Sequence, residues 1–189
     1  MRVALYFGSF NPVHNGHLII ANHVLLHTDA EQVWFVVSPQ NPFKQSGGLL
    51  NEYQRLHLIN LAIDGESKLK TSNVEFTLPK PSYTIDTLAY LKEKFPEHEF
   101  VILMGSDSFR NINKWKNAAV LLKNYSLYIY RRPGFEITDT YSGHIKIIDA
   151  PLLQISATHI RELIKSGKSI RYLVPDIVME EILRAGYYK

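Results

Sequence analysis

Two histidines, His14 and His17, stand three residues apart in Gly8-Ser9-Phe10-Asn11-Pro12-Val13-His14-Asn15-Gly16-His17-Leu18, where an apolar run gives way to a helix. Val3 to Phe7 reads as a buried strand that ends at a Gly-Ser turn and Asn11-Pro12. Leu18 to Leu26, apolar all round, predicts a largely buried helix. In an open α/β sheet, ligands bind at the carboxyl ends of strands, and a helix start offers free N–H groups and a positive dipole to anions. Gly8 and Gly16 leave room for a phosphate to approach the backbone. This stretch therefore fits phosphate binding. The same residues also fit an ordinary turn and two histidines satisfied by backbone carbonyls. A metal pair is disfavoured, because the chain has no cysteine and no carboxylate stands beside the histidines to complete a ligand set.

A second stretch tips the balance towards phosphate. In Leu153-Gln154-Ile155-Ser156-Ala157-Thr158-His159-Ile160-Arg161, two hydroxyls precede a short helix expected over Ile160 to Lys165 and closed at Gly167. Arg161 lies one turn in, where its planar fork can reach a phosphate. Read alone, this is an N-cap followed by an exposed arginine. Together the two stretches place two phosphate-type helix starts in one sheet.

Other candidates sit at similar junctions. Lys44 falls in Ser38 to Leu50, a polar stretch rich in Pro and Gly that reads as a long loop; it is either a phosphate contact or a solvated loop residue. Thr84 is the expected N-cap of a helix over Ile85 to Phe95, with Ile85, Leu88 and Leu91 facing inward. Gly105 and Asp107 follow the buried run Glu99 to Met104, where Asp107 either meets a ligand or caps the next turn. Trp115, flanked by lysines, is a lid on the core or a platform for a planar ring. Arg131-Arg132 reads as a solvated strand end.

The elements that must carry these residues alternate between strand and helix patterns. Strands are expected at Val3–Phe7, Gln32–Val37, Lys70–Phe76, Glu99–Met104, Ser126–Tyr130 and Ile145–Ile148, with Asn51 capping the helix after the long loop. Such alternation predicts an α/β fold, a Rossmann-like doubly wound parallel sheet with helices on both faces and right-handed crossovers. A small helical portion follows from about residue 156, within a single domain over residues 1–189.

Composition narrows the classes. The 189 residues are 46% hydrophobic and 21% charged, with a net charge of +3. The pI is near 9.0. This suits a small anionic substrate, while the clustered Lys/Arg stripe of a nucleic-acid binder is missing. No apolar run approaches the roughly 20 residues of a membrane span, so no membrane partner is expected. Zero cysteines fit a reducing cytoplasm.

At this point the motifs resemble those of a known family. Gly8 to His17 resembles the His-x-Gly-His signature of the nucleotidyltransferase superfamily, and Ile155 to Arg161 is similar to its Ile-Ser-x-Thr-x-x-Arg motif. Pro81-Ser82-Tyr83-Thr84-Ile85-Asp86-Thr87-Leu88, Gly105-Ser106-Asp107-Ser108, Trp115 and Tyr172-Leu173-Val174-Pro175 extend the resemblance over nearly the whole chain. Within the superfamily it is to the bacterial nicotinate mononucleotide adenylyltransferases.

That resemblance implies adenylyl transfer from ATP to nicotinate mononucleotide, giving nicotinate adenine dinucleotide and pyrophosphate in NAD biosynthesis, with Mg²⁺ accompanying ATP. It implies catalytic roles for His14, His17, Lys44 and Arg161. ATP would be bound by Gly8, Ser9, Phe10, Gly16, Ile155, Ser156 and Thr158 together with those histidines and the arginine. Tyr83, Thr84, Gly105, Asp107 and Trp115 would hold the acceptor, with Trp115 stacked on its ring, and no residue is assigned to a resident metal. Nicotinamide mononucleotide or phosphopantetheine as acceptor, or a non-catalytic ATP-binding module, are the alternatives. The chain departs from the family pattern at Phe7, Asn11, Phe43 and Ala157, where the family usually has glycine, an acidic residue, histidine and serine. Phe43 cannot donate the hydrogen bond of a histidine.

Overall fold

The computed structural model describes residues 1–39, 48–138, 141, 144–151 and 153–189. Lys44 and Phe43 therefore lie outside the described residues. Six strands, β1 (Arg2–Gly8), β2 (Gln32–Val37), β3 (Leu69–Ser72), β4 (Glu99–Gly105), β5 (Ser126–Tyr130) and β6 (Ile145–Ile148), form one parallel sheet in the order β3-β2-β1-β4-β5-β6. Helices α1 (Asn15–His27), α2 (Glu52–Ala62), α3 (Thr84–Lys94), α4 (Ser106–Phe109), α5 (Ala118–Asn124), α6 (Ala157–Lys165) and α7 (Asp176–Ala185) complete the fold. The strand order reverses between β1 and β4, whose residues Tyr6 and Leu103 lie side by side. A crevice must open there at the carboxyl ends of the two strands, between Gly8-Ser9 and Gly105-Ser106. The doubly wound architecture expected from the alternation is the one observed.

Strand residues alternate between two cores, as the two-residue period of a strand requires. Ala4, Tyr6, Phe35, Val101, Leu103 and Tyr128 face α1, α2, α6 and α7, where Ala21, Val24, Leu58, Ile59, Ile160 and Ile182 are buried. Val3, Leu5, Trp34, Ile102 and Leu127 face α3 and α5 through Leu88, Leu91 and Leu121.

Several expectations are corrected. The third strand ends at Ser72 instead of Phe76: β2 has partners for β3 only through Val36↔Ser72, and the chain then turns through a 3₁₀ segment, Val74–Phe76. Helix α1 is not largely buried. Only Gly16, Ala21 and Val24 are, and Leu26 is 67% exposed, because a helix lying on a sheet presents one side to it. Thr84 does not cap α3; Tyr83 occupies the cap position with an extended backbone, and its carbonyl accepts from the Asp86 and Thr87 N–H groups. Helix α6 begins at Ala157, so Thr158 lies within its first turn. Ser156 does act as cap, its hydroxyl accepting from the His159 N–H at 3.2 Å. No helix among the described residues is long and apolar enough to cross a membrane.

Candidate active site

The crevice at the strand reversal is a cavity of about 480 Å³. Gly8, Ser9, Phe10, His14, His17, Tyr83, Thr84, Gly105, Asp107, Trp115, Ile155, Ser156, Thr158 and Arg161 all line it, so every described candidate except Gly16 reaches one site. Gly16 stands directly behind it. A Cβ there would come 3.1 Å from the His14 ring, and a Cβ on Gly8 would come 2.9 Å from the tip of Phe10. Both glycines thus make room for site side chains, which the sequence reading had attributed to the phosphate. Phe10 takes a left-handed backbone (φ 45°) and buries its ring edge-on against Tyr6, Phe35 and His17. Its side chain is a buttress for His17.

The two histidine rings stack at 3.6 Å between centroids. His17 Nδ1 accepts the His14 backbone N–H at 3.2 Å, which fixes the proton on Nε2 and makes that atom a donor. His14 is 5% exposed, and its buried Nδ1 has no hydrogen-bond partner among the described residues. Burial, helped by the Arg132 guanidinium, lowers its pKa from 6.5 to about 4, so it is neutral at pH 7. Between those values the unfolded chain holds the proton and the folded one does not. Stability therefore rises with pH across that window and is lost as pH falls through it, by at most about 3 kcal/mol from this residue. Denaturant unfolding near pH 7 and near pH 4.5 should show this loss, and His14→Asn should flatten it. An equally steep loss in the variant would assign the proton elsewhere.

Arg161 comes from α6 to the turn after β1, where its Nη1 donates to the Asn11 carbonyl at 2.8 Å and its Nη2 to the Thr158 hydroxyl at 3.4 Å. Among the described residues no carboxylate pairs with it, which leaves its charge for an anion. Asn11 is a junction. Its side chain donates to the Gly48 carbonyl and accepts from the Leu50 N–H and from the hydroxyl of Tyr188, near the C-terminal end. The asparagine where the family usually has an acidic residue thus ties the segment before α2 and the C-terminal end to the phosphate turn.

On the opposite wall, Trp115 packs partly buried on the core and also lines the cavity. Asp107 sits inside α4 instead of capping it, and faces Arg132 at 3.4 Å. A Cβ on Gly105 would collide with Asp107 Oδ1 and come 3.1 Å from Arg132 Nε, so this glycine leaves room for the pair as it stands. The Arg131-Arg132 doublet divides. Arg131 pairs with Asp149 as a solvated strand end, whereas Arg132 lines the cavity and donates to the Tyr130 hydroxyl, which in turn accepts from Tyr6.

Sequence reasoning missed Arg132, Glu75 and Arg55. Arg132 continues the parity of Tyr128 and Tyr130 along β5, a usable signal. Arg55 shares the inner face of α2 with Leu58 and Ile59 at helical spacing. Glu75 lies in a turn, where no periodicity marks it.

A family model described as cytidylyltransferase-like matches residues 5–163. The protein of Flavobacterium psychrophilum named probable nicotinate-nucleotide adenylyltransferase is 48% identical over the full length of both chains. One of the same name from Cytophaga hutchinsonii is 49% identical, over all of this chain and 98% of that one. The chain belongs to the nicotinate-nucleotide adenylyltransferase family. A Plasmodium falciparum nicotinic acid mononucleotide adenylyltransferase complexed with NaAD has the same fold, with a TM-score of 0.83 at 20% identity over 99% of this chain and 97% of that one. For this member of the nicotinate-nucleotide adenylyltransferase family, the fold and the two motif positions inferred from the residues are in place.

Proposed function

We propose that the chain transfers the adenylyl group of Mg²⁺-ATP to the phosphate of nicotinate mononucleotide and releases pyrophosphate. The observation that carries this reading is the single cavity in which the helix starts of α1 and α6 face a second wall built from the start of α3 and Trp115. The first wall suits a triphosphate. The second suits a flat ring bearing a carboxylate, and the crevice joins them.

The acceptor's phosphate oxygen is already a competent nucleophile at neutral pH, so no activated serine or general base is needed. The chain's residues position the reactants and stabilise charge. His17 Nε2–H donates to an α-phosphate oxygen as the phosphorus becomes five-coordinate. His14, neutral in the free protein, gains proton affinity as the triphosphate brings negative charge beside it. Arg161 holds the leaving pyrophosphate with the hydroxyls of Ser156 and Thr158, while Gly8 and Ser9 line the nucleotide. Lys44 is proposed to join them at the phosphates. Tyr83, Thr84 and Trp115 enclose the acceptor ring, and Gly105 and Asp107 form its other side.

Mg²⁺ enters as part of the nucleotide. Mg²⁺ characteristically keeps several waters and is held through one or two carboxylates plus substrate phosphates, so the triphosphate itself would bring it to the site.

With ATP labelled at the α-phosphate, the label should appear in a dinucleotide only when nicotinate mononucleotide is present, and none should remain on the protein without it. A labelled adenylyl-protein trapped in the absence of acceptor would refute direct in-line attack.

A further inference from the structure

Glu75 is a buried carboxylate for which the mechanism above has no use. It is 2% exposed and forms part of the acceptor wall beside Ser82, Tyr83 and Thr84. Its oxygens accept from the hydroxyls of Ser82 at 2.7 Å and Thr87 at 2.9 Å, and Ser38 at the end of β2 adds a third hydroxyl. Ser82 comes from the segment before α3 and Thr87 from α3 itself. No ion pair to it is found among the described residues; Lys116 of this wall lies 4.9 Å over the Tyr83 ring and pairs with Asp86. A carboxylate taken out of water costs free energy unless a positive charge answers it. Burial correspondingly raises its pKa, while the three hydroxyls oppose that rise.

A substrate can supply the missing charge. The ring of a pyridine mononucleotide is joined to ribose through a quaternary nitrogen and is therefore a permanent cation. A flat cation enclosed by Tyr83 and Trp115 would face Glu75 across a wall from which water is largely excluded, where charges interact strongly. We propose that Glu75 is the counter-charge to the pyridinium ring and selects acceptors that carry it. This rests on the acceptor reading given above and deepens it. Glu75 thereby rejects flat uncharged rings of the same shape, and its hydroxyl partners hold it in place while the site is empty.

The test compares nicotinate mononucleotide with its carbon analogue, in which a carboxyphenyl ring joined to ribose phosphate through carbon replaces the carboxypyridinium. The two differ in ring charge and share shape, carboxylate and phosphate. By calorimetry on the full chain, the wild-type protein should bind the pyridinium ligand about tenfold more tightly than the analogue. Glu75→Gln should weaken the pyridinium ligand about tenfold and leave the analogue within about twofold, bringing the two together. Equal losses for both ligands would make Glu75 a positioning residue for Ser82 and Thr87 and overturn the proposal, as would unchanged binding of the pyridinium ligand.

If the variant does not fold, the wild-type protein carries the test. The ratio of the two affinities should fall as pH is lowered through the titration of this buried carboxyl, because protonation removes the counter-charge, whereas titration of the phosphate and of His14 acts on both ligands alike. A constant ratio overturns the proposal. Failure of the wild-type protein to bind nicotinate mononucleotide at all refutes the acceptor reading instead.

Discussion

His17→Ala should lower turnover by about 10²-fold or more while leaving the protein folded. The expectation follows from the tautomer. With Nδ1 occupied by the His14 backbone N–H, the proton is held on Nε2 of a ring that lines the cavity. A preorganised donor aimed at charge that develops in the transition state is worth roughly 10²- to 10³-fold in rate. The structural cost is smaller. His17 is half-buried at the start of α1, with Phe10 and Tyr6 packed edge-on against its ring, and truncation removes one hydrogen bond and part of that packing, about 1–2 kcal/mol. Steady-state pyrophosphate release and thermal unfolding of the same preparation separate the two effects. Near-normal turnover in a folded variant would remove His17 from the chemistry. The neighbouring His14 should behave differently: its ring is enclosed behind Gly16 and its loss would register in stability as well as in rate.

Arg55→Met should produce the largest loss of stability in the molecule, about 3–5 kcal/mol, or a fall in melting temperature of roughly 10 °C. Arg55 is fully buried, and its guanidinium donates to four carbonyls: Leu50 at 2.9 Å, Ser9 at 2.6 Å, Ser38 at 2.9 Å and Pro39 at 3.1 Å. These come from the turn after β1, the end of β2 and the residue before the α2 cap, so one side chain joins three segments of the chain. Burial lowers its pKa, yet a guanidinium remains charged in a protein, and the four carbonyl dipoles solvate that charge. Methionine keeps the volume and leaves all four acceptors without donors, each a desolvation penalty of order 1–3 kcal/mol if no water replaces the bond. Arg55→Lys should recover only part of the loss, because an ammonium lacks the planar five-donor fork. Ser9 and Ser38 both line the cavity, so turnover should fall alongside stability. Melting within about 2 °C of the wild-type protein would contradict this account.

What the sequence revealed about the fold depended on how local the signal was. Buried parallel strands such as Gln32–Val37 and Glu99–Met104 announce themselves as continuous apolar runs, and the alternation of strands with helices dictates a doubly wound sheet. The third strand ends at Ser72 because the chain there turns into the 3₁₀ segment Val74–Phe76 while β2 runs on to Val37, a break that the run Lys70–Phe76 does not mark. Helix α1 is covered on one side only, and apolar residues all round a helix do not tell which side a sheet will cover.

For the site, motifs that begin helices were legible, since glycine, serine and proline punctuate them. Gly8 to His17 and Ile155 to Arg161 both came to the cavity. Residues that act through tertiary contact were not. Arg132 looked like a solvated strand end until Asp107 and Tyr130 were beside it, and Glu75 is marked only by the hydroxyls that fold around it. Gly16 was legible as a small residue next to a histidine, but its use, making room for the His14 ring, became visible only in three dimensions.

The most direct test of the central claim is the rate of pyrophosphate release with Mg²⁺-ATP and each of three acceptors: nicotinate mononucleotide, nicotinamide mononucleotide and phosphopantetheine. The account predicts release with the nicotinate form at a kcat/KM at least tenfold above the other two, from an acceptor wall that places the positive end of the α3 dipole beside the ring carboxylate. Release only with a different acceptor would contradict the assignment of Tyr83, Thr84 and Trp115 to the nicotinate ring. ATP binding without release for any of the three would contradict catalysis itself.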